Sequence, residues 1–93
     1  MSTAGLEELR ARIDELDETI IVALAERLVL SRQTLDRKHG AVHDPVREAA
    51  VLDHVADLAE RCGMAPGHAI LLYEVVLRVS AEIQDQSTTN NSV

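Results

Sequence analysis

The chain has no phenylalanine and no tryptophan, and it carries a single tyrosine. Proteins that hold single-stranded nucleic acid stack bases on aromatic rings, so a stacking platform is excluded. The core must come from Leu, Val, Ile and Ala, which suits close-packed helices. Cysteine is almost absent as well. Cys62 stands alone, so no intrachain disulfide is possible, and a reducing, cytoplasmic setting is the expectation. Its register with Val55 and Leu58 predicts a packed thiol. Positive charge is scarce: nine Lys and Arg face sixteen Asp and Glu, a formal net charge of -7. That balance argues against a generic nucleic-acid or anionic-membrane surface. It leaves room for a small anionic ligand, which needs only local positive charge. No uninterrupted apolar run is long enough to span a bilayer, and no basic region followed by an apolar run opens the chain. At 93 residues, one domain over 1–93 is expected. A core this small is often reinforced by oligomerisation.

Proline and glycine are missing from the whole stretch Leu6 to Lys38. Leu6, Leu9, Ile13, Leu16, Ile20, Ala23, Arg27, Leu30 and Thr34 recur there at alternating steps of three and four. This is the period of one long helix with an apolar stripe. At helical rise it reaches roughly 50 Å, more than the remaining chain can cover. A second copy is the expected cover. Acids crowd the first half of this helix and bases its last turns, both favourable to the helix dipole. Glu8 and Arg12 have the spacing of a supporting pair.

Gly40 predicts the stop, and 39–43 a short connection. Asp44-Pro45 predicts a capped start for a second helix over Pro45 to Arg61, with Val51, Val55, Leu58 and Cys62 on its buried face. Gly63 predicts a left-handed end to it. Pro66 opens a third helix, whose stripe holds Ile70, Tyr73, Val76, Leu77, Ser80, Ile83 and Gln84. The ordered core is expected over about 6–86. The last seven residues, Ser87 to Val93, are polar and short-sided, and a frayed tail is expected there. The fold class is all-α, three helices with a very long first one.

Several polar residues interrupt this pattern. Arg27 lies within the apolar stripe of the first helix. Lys38 returns to nearly the same face, ~16 Å further along the axis. Arg10 lies ~25 Å before Arg27, too far to share a small ligand within one chain. If two copies pack antiparallel about residue 18 or 19, Arg10 of one falls opposite Arg27 of the other. A two-fold dimer then has two equivalent sites with cations from both chains. Arg47 and Glu48 sit in the first turn of the second helix, where free N–H groups favour anions. Ser80 and Gln84 share one face of the third helix. Each of these has an ordinary account when taken singly. Arg27 is equally a snorkelling arginine paired with an acid. Arg10, Lys38, Arg47 and Glu48 are equally solvated or salt-bridged, and Ser80 and Gln84 are equally satisfied polar groups between helices. As a set they furnish several donors, a carboxylate and an apolar wall.

The segments LRARIDELDETIIVALAER, then Lys38, then DPVREAAVL, then SAEIQ resemble, in order and spacing, the all-helical chorismate mutase family over residues 6–86. The resemblance implies an intertwined antiparallel homodimer and the rearrangement of chorismate to prephenate. It implies that Arg10 crosses into the partner's site and that Arg27 holds a substrate carboxylate. Lys38 is implied to contact a carboxylate and the ether oxygen, and Gln84 to be the second donor to that oxygen. The resemblance further implies Asp44 at the site's edge near the substrate hydroxyl, Arg47 beside the ring, Glu48 on the hydroxyl and Ser80 near the ring carboxylate. Such chemistry needs no nucleophile, metal or redox cofactor. Two positions depart from the family's habit. Thr34 stands where an aliphatic residue is frequent, its hydroxyl turned either to the site or to the carbonyl a turn back. Ala81 stands where a larger aliphatic side chain is frequent. Related outcomes on the same fold are a mutase for 4-amino-4-deoxychorismate, an isochorismate pyruvate-lyase, and a non-catalytic helical domain that regulates or assembles with a partner enzyme.

Overall fold

The computed structural model describes residues 5–37 and 44–90, apart from the side chains of residues 36 and 87–90. It contains three helices: α1 (Leu6–Arg37), α2 (Pro45–Arg61) and α3 (Pro66–Asn90). Lys38 and the 39–43 connection lie outside the described residues. Among the described residues no helix is long and apolar enough to cross a membrane. By internal contacts the chain divides into two units, Met1–Leu30 and Ser31–Val93.

The first unit is helix α1 up to Leu30. Its first turn carries Glu7 and Glu8, acids at the positive end of the helix. The Leu9 N–H bonds the Gly5 carbonyl at 3.0 Å and so begins the helical ladder. Local ion pairs line the surface. Arg12 meets Glu15 at 2.9 Å, a partner on its C-terminal side in place of the expected Glu8. Both orders are one helical turn, and Glu15 wins the shorter i,i+3 approach. The apolar stripe stays open to solvent, with Leu9 51%, Ile13 54%, Leu16 46% and Ile20 53% exposed. Exposed ion pairs add only ~0.2–0.5 kcal/mol each. A helix of this length, apolar along one face, therefore calls for packing that its own ion pairs do not supply.

The second unit holds the end of α1 from Ser31, with α2 and α3. Asp44 caps α2, accepting from the Arg47 N–H at 3.1 Å, and Pro45 occupies the first turn. The far end closes as a Schellman turn. Gly63, at φ 77°, donates to the Glu60 carbonyl at 3.2 Å, and Met64 donates to Ala59 at 2.8 Å. Only glycine takes that left-handed φ without cost. Pro66 then starts α3, and the His68 N–H bonds the Ala65 carbonyl at 3.0 Å. A connection this short turns α3 back antiparallel on α2.

The core of this unit is Val51, Val55, Ala59 and Ala69, with Tyr73 and Leu77 packed against it. The buried face of α2 thus runs Val51–Val55–Ala59. Leu58 is 43% exposed and Cys62 is exposed, contrary to the packed register expected for both. Steps of four carry the stripe to Ala59, and Cys62 is already the helix cap, turned out of the packed face by the approach to Gly63. Helix α3 continues through Asn90, past the Gln86 end expected for it. No proline or glycine follows Gly67 to stop it.

Candidate active site

The α2–α3 hairpin sets the register of the polar residues. Met64 lies at its tip. Ala59 and Ala69 stand equally far from it along the chain, as do Val55 and Tyr73, and then Val51 and Leu77. These are the residues of the core cluster. Carrying the same antiparallel register outward pairs Glu48 with Ser80, and Asp44 with Gln84. The apolar stripe becomes polar at this open end, away from the turn. That change of character marks a place where a hydrophilic ligand can meet the hairpin.

Asp44 and Glu48 are half-buried, and Arg47 is exposed. The Arg47 N–H, expected as a free donor at the helix start, is already taken by Asp44. Ser80 is 7% exposed and donates its hydroxyl to the Val76 carbonyl at 2.9 Å, within its own helix.

Gln84 is the most buried polar residue here, at 4% exposure. Its Nε2 donates to the Ser31 carbonyl oxygen at 2.6 Å, and lies 3.1 Å from Ser31 Oγ and 3.4 Å from Thr34 Oγ1. The carbonyl can only accept, so the amide nitrogen must face it. Gln84 therefore ties α3 to the last turns of α1 and points a donor at them. Thr34 bonds the carbonyl a turn back, one of the two arrangements that its sequence position left open. Its hydroxyl donates to the Ser31 carbonyl at 2.7 Å, and its oxygen faces Gln84. Leu35, one turn after Ser31, is 7% exposed. Ser31 was not singled out by its sequence. The available signal was its place one turn after Arg27.

Arg10 and Arg27 belong to the first unit. Arg10 is exposed and 3.4 Å from Glu7. Arg27 is half-buried, unlike most of its neighbours on α1. Lys38 lies outside the described residues. The structure thus brings Gln84 together with Ser31 and Thr34, and Asp44 with the start of α2.

The three helices, with no strand among the described residues, place the chain in the all-α class. Within that class a family model described as chorismate mutase type II matches residues 9–85, and the chain belongs to that family. All eight polar positions, from Arg10 to Gln84, fall inside the matched span. A protein of Methanocaldococcus jannaschii named chorismate mutase is 26% identical over 84 residues, covering 87% of this chain and 85% of its own. No solved structure gives a significant match.

Proposed function

We propose that the protein is an isomerase that rearranges chorismate to prephenate, with Arg10, Arg27, Lys38, Asp44, Arg47, Glu48, Ser80 and Gln84 as its site. Family membership supports the reaction. The observation that carries the site is the buried Gln84 amide, whose nitrogen side is fixed by the Ser31 carbonyl at 2.6 Å. A donor held in this way suits an oxygen that gains negative charge.

The rearrangement is intramolecular and makes no bond to the protein. The work of the site is to fold the flexible enolpyruvyl arm over the ring, which is catalysis by orientation. Arg27 and Lys38 hold carboxylates of the dianionic substrate. Lys38 and Gln84 donate to the ether oxygen as its bond to the ring breaks, stabilising charge present only in the transition state. Glu48, with Asp44 at the edge, accepts from the substrate hydroxyl. Arg47 and Ser80 border the ring and its carboxylate.

Arg10 completes the site of a second copy. The open row Leu9, Ile13, Leu16 and Ile20 supports an antiparallel homodimer in which α1 packs on its counterpart. The two units of the chain then act as one domain, in the cytoplasm.

The deciding experiment is a parallel assay with chorismate, 4-amino-4-deoxychorismate and isochorismate. Prephenate from the first, with much slower turnover of the other two, is the expected outcome. Preference for the amino analogue would reassign the substrate, and release of pyruvate from isochorismate would reassign the reaction. Inactivity toward all three would leave a helical assembly domain.

A further inference from the structure

Ser31 and Thr34 are absent from the proposed set of substrate contacts, yet both converge on its most buried member. The Gln84 amide carries two protons. The Ser31 carbonyl takes one at 2.6 Å. Nε2 also lies within donor reach of two hydroxyl oxygens, Ser31 Oγ at 3.1 Å and Thr34 Oγ1 at 3.4 Å. Thr34 gives its own proton to the Ser31 carbonyl at 2.7 Å, so it meets Gln84 with lone pairs.

We infer that Ser31 and Thr34 are positioning residues that fix the orientation of the Gln84 amide for catalysis. The inference rests on the proposed reaction and adds the machinery behind one of its donors. The terminal torsion of a glutamine is broad, and nothing intrinsic prefers nitrogen over oxygen on a given side. A carbonyl and two hydroxyl oxygens gathered around Nε2 make that choice. A reversed amide would set oxygen against the Ser31 carbonyl and present an acceptor where the reaction needs a donor. The contacts from Nε2 to the two hydroxyl oxygens are longer than its bond to the carbonyl. An incoming ether oxygen can compete with those longer contacts for a proton, while the short bond to the carbonyl keeps the amide plane in place.

Thr34 is exposed, so Thr34→Val, which keeps its shape, should fold normally. The test measures kcat and KM on chorismate for Thr34→Val, Ser31→Ala and the double variant, each also combined with Gln84→Ala. Each single change should lower kcat roughly threefold, and the pair about tenfold, with KM near that of the wild type. Thr34→Ser, which keeps the hydroxyl, should recover kcat. With Gln84→Ala already present, removing the hydroxyls should change nothing further, because their effect passes through that amide. A kcat that is unchanged or raised in the double variant overturns the inference. So does an equally large loss in the Gln84→Ala background.

A second readout is independent of turnover. In isotope-labelled protein, the Gln84 side-chain amide signal is assigned by its disappearance in Gln84→Ala. Its two protons should be distinct in the wild type and should exchange faster, or merge, in the double variant. If the wild type does not convert chorismate, the proposed reaction fails, and this signal alone decides the positioning role. An amide signal identical in wild type and double variant would then refute it.

Discussion

Asp44 Oδ1 accepts from the Arg47 N–H at 3.1 Å, so one residue of the proposed site is also the cap of α2. The two roles can be separated by chemistry. Asp44→Ala removes the cap and should cost ~1 kcal/mol in urea unfolding. Asp44→Asn keeps a side-chain oxygen for the cap and should unfold close to the wild type. If the asparagine variant is as unstable as the alanine one, the carboxylate charge matters to the helix beyond the bond. If it is as stable as the wild type, any loss of turnover it shows belongs to the site.

Gln84→Glu should make activity acid-dependent. The residue at 84 is almost wholly buried against the Ser31 carbonyl. Burial beside an acceptor raises the affinity of a carboxyl for its proton. Only the protonated form can donate to that carbonyl or to an ether oxygen. Turnover should be low at neutral pH and recover as pH falls, whereas the wild type shows no such recovery. Stability should follow the same sign. The folded variant binds the proton more tightly than the unfolded chain, so its stability is greatest below the ordinary glutamate value of ~4.3 and declines as pH rises above it. A flat pH–rate profile in Gln84→Glu would remove the donor role of this position.

Arg27→Ala and Lys38→Ala should each lower kcat/KM by about 10²-fold or more, the usual loss when a group stabilising transition-state charge is removed. Neither should change the mass measured by light scattering, expected at twice the 10.2 kDa of one chain. A variant that folds normally and keeps wild-type turnover would count heavily against the site. By contrast, Ile13→Asp places a charge in the open row of α1 and should dissociate the assembly.

Mixing subunits tests whether sites are shared. Arg10→Ala and Arg27→Ala homodimers should both be nearly inactive. After unfolding and refolding together, a mixed dimer has one site that receives both arginines, Arg27 from one chain and Arg10 from the other. Random pairing in a two-fold dimer should restore about a quarter of wild-type activity. If the mixture stays as inactive as its components, the arginines serve no common site.

Much of the local architecture could be read without coordinates. The ends of α2 follow from Asp44, Pro45 and Gly63, because capping, a fixed φ and a left-handed φ are properties of single residues and their immediate neighbours. The length of α1 follows from a stretch free of proline and glycine with an unbroken three–four period. Arg27, Ser80 and Gln84 were legible as polar residues within apolar stripes, whereas the roles of Arg10, Arg47 and Glu48 came from the family resemblance.

Other features were decided by packing between segments distant in the chain. Periodicity by itself closes the face of α2 with Leu58 and Cys62, but the core holds Ala59 in their place. The antiparallel approach of α3 selected Ala59, opposite Ala69. Ser31 had only a slight sequence signal, its place one turn after Arg27, since its shortest bond to Gln84 comes through a main-chain carbonyl, a group every residue possesses. Only the docking of α3 beside the end of α1 brings Gln84 within 2.6 Å of it. Thr34 was ambiguous for the same reason. A hydroxyl can bond the preceding turn in any helix, and whether it also meets another side chain depends on what the fold places beside it. The sequence by itself determined where helices begin and end and which residues break their stripes, because those are short-range steric and hydrogen-bonding effects. The tertiary structure alone decided which face of α2 is buried and which way the Gln84 amide turns, because both depend on groups far apart in the chain.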